Sequence, residues 1–141
     1  MTKIETYARL EKVRIQVPDV QEPPPKRWSN CLRVGNLVFI SGMVGYDSNR
    51  KIVGPGDALA QCRRAFQNIR ALIEASGGTM DNIVRTTVWL TDIRHRPALL
   101  QAREEAFRDT ENLPTVTLVG GVSLAHDELM VEIDAIGWLP D

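Results

Sequence analysis

The sequence predicts an α+β fold, one β-sheet with two helices packed on the same face. Three observations carry this. Strand and helix patterns succeed each other as hairpin, helix, strand, helix, strand, strand, and helices set between strands imply crossovers that place both helices on one side of the sheet. The stretch from Asp57 has a clean apolar stripe at helical spacing. Leu37-Val38-Phe39-Ile40 is apolar on both sides, so it is central in its sheet and covered on both faces. Helices cover one face. In a chain of 141 residues, another subunit is the expected cover for the other.

Residues 1 to 27 read as an N-terminal arm ahead of a single domain at 28 to 141. Met1-Thr2-Lys3-Ile4-Glu5 lacks the basic start and apolar run of a signal peptide. Tyr7 to Val17 alternates loosely, with Val13, Ile15 and Val17 on one side, as in a short strand. The run Pro18 to Pro25 is expected to be extended, because proline fixes φ and restricts the residue before it. It would lie on the surface or on a neighbouring subunit.

Trp28 to Val44 reads as a hairpin turning at Gly35-Asn36, a dipeptide that tolerates positive φ. Ser41-Gly42 follows its second strand, and Gly45 to Pro55 is a loop. Asp57 caps the first helix. Leu59, Cys62, Phe66, Ile69, Leu72 and Ile73 form its stripe, and Gly77-Gly78 is its stop. Arg63, Arg64, Gln67, Arg70 and Glu74 form a solvated face rather than a basic binding patch. Ile83 to Thr91 is a strand rich in β-branched residues, with Trp89 in it. Pro97 opens a second helix to about Asp109, with Leu99, Ala102 and Ala106 inward. Thr115 to Val119 is a short strand that Gly120-Gly121 breaks. Leu129 to Trp138 closes the chain, with Leu129, Val131, Ile133 and Ala135 on one face and Met130, Glu132, Asp134 and Ile136 on the other.

The charge balance excludes some function classes. There are 17 basic and 18 acidic residues, for a net charge of -1, so no strong field favours nucleic acid or an anionic membrane. Cys31 and Cys62 read as thiols in a reducing compartment, and no spacing suggests a metal site. No run approaches the length of a membrane span, and the expected location is cytoplasmic. There is no GxSxG, P-loop, GxGxxG or HExxH motif. His95 and His126 read as solvent-exposed loop histidines. Glu132 and Asp134 lie on one face of an otherwise apolar strand. A buried carboxylate needs a partner: a cation, an amide or a ligand. An exposed edge or an ion pair between subunits would also account for them.

The run Trp28-Ser29-Asn30-Cys31-Leu32-Arg33-Val34-Gly35-Asn36-Leu37-Val38-Phe39-Ile40-Ser41-Gly42 resembles the opening signature of the Rid (YjgF) family. Val88-Trp89-Leu90-Thr91-Asp92 and Val131-Glu132-Ile133-Asp134-Ala135-Ile136 resemble its later motifs. The resemblance covers about residues 28 to 138 and implies a chorismate-mutase-like mixed sheet backed by two helices. It implies a homotrimer with ligand clefts between subunits, no metal and no cofactor. It implies hydrolysis of small enamines or imines. Glu132 would then be the catalytic residue beside a water, the Ser41-Gly42 backbone would orient the ligand, Trp28 would wall the pocket, and Gln101 would contact the ligand through its amide. The family's carboxylate-binding arginine falls on Val116 or Thr117, neither a guanidinium. Arg33 or Arg103 would replace it, or the substrate would lack that carboxylate, or the protein would bind without catalysis. Trp28 at the family's tyrosine position fits a flatter or less polar ligand. The expected partners are a small-molecule ligand and further copies of the chain. The alternatives are a non-catalytic binding or regulatory trimer, and the ribonuclease or translation-inhibitor activity of some members.

Overall fold

The computed structural model describes residues 11 to 140. In chain order they form strands β1 (Lys12–Arg14), β2 (Cys31–Val34) and β3 (Leu37–Met43), helix α1 (Ala58–Ala75), strand β4 (Ile83–Leu90), helix α2 (Arg96–Ala106) and strands β5 (Thr115–Val119) and β6 (Val131–Trp138). Met1 to Glu5 and the Tyr7 end of the first alternating stretch lie outside the described residues. Within the rest of that stretch, Lys12 to Arg14 pair with β2.

The strands make one sheet in the order β1-β2-β3-β6-β4-β5. β4 and β5 are parallel, and every other pair is antiparallel. Helix α1 carries the chain from β3 to β4 across the position that β6 later fills. Helix α2 carries it from β4 to β5. Both helices pack on one face, over a core that includes Val38, Ile40, Phe66, Ile69, Val88, Leu99 and Ile133. The other face carries Leu37, Phe39 and Trp138, exposed in the single chain. Glu132 and Asp134 therefore do not sit on an exposed edge, because β6 lies between β3 and β4. Periodicity shows which way a side chain points but not which strands flank it. Among the described residues no helix is long and apolar enough to cross a membrane.

Local chemistry explains the boundaries. Gly35 has φ 58°, the left-handed backbone that the two-residue hairpin turn requires at its first central position. The Asp57 carboxylate accepts from the Ala60 N–H at 3.0 Å and caps α1. Gly77 ends that helix with φ 101°, and the Gly78 N–H donates to the Ile73 carbonyl at 3.0 Å. Helix α2 stops at Ala106, short of Asp109. Phe107 leaves the helical backbone, and its ring meets Phe66 edge-on at 5.7 Å in the core.

The proline run is not extended throughout. The Val20 N–H donates to the Val17 carbonyl and the Arg27 N–H to the Pro24 carbonyl, each at 3.3 Å. These bonds close two turns, each with a proline, Pro18 or Pro25, in second place. The fixed φ of proline suits that turn position as well as an extended run. Val20, at the end of the first turn, is buried in the core.

Candidate functional site

Strand alternation sends Val131, Ile133 and Ala135 beneath the helices, and Glu132 and Asp134 to the opposite face. Beside them β3 carries a bulge. Ile40 pairs with Ala135 and Met43 with Ile133, so three steps on β3 face two on β6. Ser41-Gly42 occupies the extra length. The Ser41 N–H donates to the Asn30 carbonyl at 2.8 Å, and its hydroxyl donates to the Ser29 carbonyl at 2.6 Å. Gly42 lies directly against the Glu132 side chain. A Cβ at this position would stand 2.7 Å from the Glu132 carboxyl carbon, closer than non-bonded atoms approach.

Glu132 and Gly42 border two cavities. One has a volume of about 620 Å³. The prolines, Arg27 and Trp28 of the N-terminal segment wall it on one side, Tyr46 and Arg50 of the loop after β3 on another, and Asn68 of α1 and His126 also line it. The second, about 380 Å³, lies toward Trp89, Ser123, Leu124 and Asp134.

Polar side chains of α1 hold these walls. Arg64 donates to the Tyr46 carbonyl at 3.0 Å and to the Asp19 carbonyl at 2.6 Å, tying loop and arm to one helix. The Asn68 amide donates to the Val44 and Tyr46 carbonyls, each at 3.2 Å. Asn30 fastens the arm from the sheet side, donating to the Gln21 carbonyl at 2.7 Å. The buried Gln61 amide donates to the Glu128 carbonyl at 3.1 Å and accepts from the Met130 N–H at 2.9 Å, fixing the entry to β6. The polar side of α1 is thus not merely solvated. Arg64 is built into the site, Arg63 pairs with Glu105 at 2.7 Å, and Arg70 donates to the Ala106 carbonyl at 2.9 Å.

The two carboxylates of β6 are placed differently. Asp134 accepts from the Thr87 backbone N–H at 3.0 Å. Among the described residues Glu132 has no ion-pair partner. Burial, and secondarily the charge of Asp134, push its carboxyl above its ordinary value of 4.5. Burial also raises the Tyr46 hydroxyl, against the lowering effect of the Arg50 charge. Its ring stands 6.2 Å from that of His126, tilted by 58°. A carboxyl raised from its ordinary value by burial, beside a cavity, is suited to take up and return a proton.

Of the residues the sequence singled out, Trp28, Gly42 and Glu132 meet at the larger cavity. Ser41 stands behind it in the bulge. Gln101 lies on α2 facing Glu105 at 3.5 Å, in a separate groove that also holds Arg103. Val116 and Thr117 lie on the edge strand β5, outside both cavities of the same chain. Val116 pairs with buried Thr86 on the helix side. Thr117 pairs with Thr87 on the open side, and its hydroxyl accepts from Arg85 at 2.7 Å. Arg33 is engaged elsewhere, donating to the Gly35 and Ser76 carbonyls at 3.2 and 2.9 Å. The cations that do line the larger cavity are Arg27 and Arg50. Sequence reasoning missed both, together with Tyr46, and it read His126 as an ordinary loop histidine. All four belong to connecting segments, where no periodicity assigns a direction to a side chain. Among the described residues no group of three or more His, Cys, Asp or Glu could hold a metal ion.

The sequence profile of the family described as endoribonuclease L-PSP matches residues 20–138. A 2-iminobutanoate/2-iminopropanoate deaminase of Dermatophagoides farinae is 32% identical over 111 residues, which cover 77% of this chain and 83% of that protein. A 3-aminoacrylate deaminase of Acinetobacter baylyi is 26% identical over 122 residues, 86% of this chain and 94% of that one. A solved structure of a protein of unknown function from Pseudomonas aeruginosa superposes with a TM-score of 0.83 at 34% identity, over 93% of this chain and 94% of that one. The sheet with its two helices is the chorismate-mutase-like arrangement of these structures. With the profile reaching from Val20 in the arm to Trp138 at the end of β6, the chain belongs to the endoribonuclease L-PSP family, the Rid family that its hairpin and closing strand resemble.

Proposed function

We propose that the protein hydrolyses an imine or enamine to a carbonyl compound and ammonia, with Glu132 as the proton-transfer group. The observation that carries this is the setting of Glu132. Its carboxylate is half-buried, raised above the ordinary range, packed on Gly42 and without an ion pair among the described residues. Two relatives named as deaminases, of 2-imino acids and of 3-aminoacrylate, support the reaction class.

The chemistry follows from that placement. Glu132 accepts a proton from water as the oxygen bonds to the imine carbon and the nitrogen takes a proton from solvent, giving a carbinolamine. It then returns its proton to nitrogen, the C–N bond breaks, ammonia leaves, and the hydroxyl proton passes to solvent as the carbonyl forms. An enamine first takes a proton on its β-carbon and releases one from nitrogen to become the imine. The backbone at Ser41-Gly42 orients the ligand, and Trp28 walls the pocket. The positions that correspond to the family's arginine, Val116 and Thr117, bear no positive charge. A charge-assisted fork is a strong contact for a carboxylate, so the substrate is not the usual 2-aminoacrylate.

The working unit is a homotrimer with open sheet faces turned inward. Leu37, Phe39 and Trp138 are 41%, 42% and 50% exposed in the single chain, and Leu37 pairs directly with Trp138 across β3 and β6. A contiguous apolar patch in the middle of a sheet calls for a cover, and three copies supply one. The smaller cavity beside Trp89 and Leu124 opens toward the neighbouring copy.

The test is to release 2-aminoacrylate and imines of larger amino acids with a pyridoxal-phosphate enzyme or an amino-acid oxidase, and to follow imine decay. Decay faster than the buffer control is expected for at least one imine, and Glu132→Gln lowers it by about a hundredfold or more. Rates equal to buffer across the panel overturn the reaction class. Full activity in Glu132→Gln removes that residue from the mechanism.

A further inference from the structure

We propose that Arg27 and Arg50 are the anion-binding groups of the larger cavity, and that its substrate class is an anion carried on a flat apolar body. This rests on the deaminase reading for the reaction but not for the binding.

Both arginines line the same cavity as Glu132. Among the described residues neither forms an ion pair. They come from different segments, one from the proline-rich arm and one from the loop after β3. Each is presented by a turn with unusual backbone. The described non-glycine residues with positive φ are Lys26, beside Arg27, and Arg50 itself, both at 62°. Side-chain-bearing residues take that conformation seldom, and where they do the surroundings hold them there. Hydrogen bonds fix both turns. The Arg27 N–H closes the arm turn on Pro24, and the Arg50 N–H closes the loop turn on Asp47 at 3.1 Å. The Asp47 carboxylate also accepts from the Asn49 and Lys51 N–H groups at 2.8 and 3.0 Å.

The rest of the cavity sets the rest of the ligand. At about 620 Å³ the cavity matches roughly twenty waters at about 30 Å³ each, far more than the smallest 2-imino acids displace. Trp28 and Tyr46 supply flat walls suited to a planar body. Glu132 repels an anion, so the charged group settles toward the arginines and leaves the reacting carbon to the carboxylate. The pocket's positive charge is thus supplied from outside strand β5, by segments whose patterning marks no binding role.

The experiment measures binding separately from catalysis. Calorimetry on the full chain compares phenylpyruvate and indole-3-pyruvate with pyruvate, and phenylpyruvate with its uncharged methyl ester. The aromatic keto acids are expected to bind about tenfold tighter than pyruvate and than the ester. Arg27→Ala with Arg50→Ala weakens phenylpyruvate by about tenfold or more, while Arg27→Lys with Arg50→Lys, which keeps the charges, loses less. Equal affinity for phenylpyruvate and pyruvate, or unchanged affinity in the double alanine variant at unchanged thermal stability, overturns the proposal. If the anionic aromatic probes bind as expected and no imine decay is catalysed, the binding groups stand and the deaminase reading alone fails.

Discussion

Gly42 and Glu132 act as one unit, and each limits what the other can be. The carboxylate occupies the space that any Cβ at position 42 would need, so the bulge of β3 and the alternation of β6 together set its position. Gly42→Ala is expected to destabilise the fold by about 1–3 kcal/mol through overpacking and to lose most imine hydrolysis by displacing the carboxylate. Retained activity, checked with a thermal melt on the same sample, would detach the glycine from the chemistry. Glu132 also has a signature in stability. Burial and the charge of Asp134 hold its carboxyl above 4.5, so the folded chain favours its protonated form. That contribution is fully present below the ordinary carboxylate value and is lost as pH rises through the raised one. Glu132→Gln should therefore melt with wild type near about pH 4 and above it toward neutral pH. A difference in melting temperature that does not change with pH would show that folding does not raise the Glu132 carboxyl.

Helix α1 combines two functions, one legible from sequence and one hidden. Its stripe, Asp57 cap and glycine stop follow from 3.6-residue periodicity and cap chemistry, and the structure places them as expected. Its polar side carries the less predictable part. Arg64 reaches two carbonyls from segments far apart in the chain, Asp19 and Tyr46, and no local pattern encodes such a tie. For the same reason Arg27, Arg50, Tyr46 and the cavity role of His126 were not legible: turns fix backbone direction through contacts made elsewhere. Glu132 was legible because alternation within a strand does assign a face. Arg64→Ala is expected to cost only about 1 kcal/mol, since its bonds are partly open to water. It should weaken ligand binding more, because both cavity walls lose their common anchor. A measured KM equal to wild type, with only the melting temperature lowered, would show that arm and loop hold their places without it.

At the scale of the whole molecule, the doubly apolar strand and the open sheet face form a single problem. Leu37-Val38-Phe39-Ile40 could be read as needing cover on both sides, because alternation is missing there. Its position next to β6 could not, because pairing partners lie far apart in the chain. The structure covers Val38 and Ile40 with helices and leaves Leu37 and Phe39 open. Phe39 faces Leu32 on one neighbouring strand and Ile136 on the other, so it lies at the centre of the uncovered apolar surface. Covering a side chain of that kind contributes about 1.5–3 kcal/mol, repeated in every copy of a closed ring. A lysine there would bring its charge into the same contact without a partner. Phe39→Lys is therefore expected to give a folded monomer by light scattering, with unchanged far-ultraviolet circular dichroism, where the wild type is expected to be a trimer. Because the smaller cavity at Trp89 and Leu124 opens on this face, the monomer should also lose imine hydrolysis while Glu132 and the larger cavity remain intact. A Phe39→Lys protein that stays trimeric would place the subunit contact elsewhere. A wild-type monomer would remove it altogether and leave the open face to a different partner.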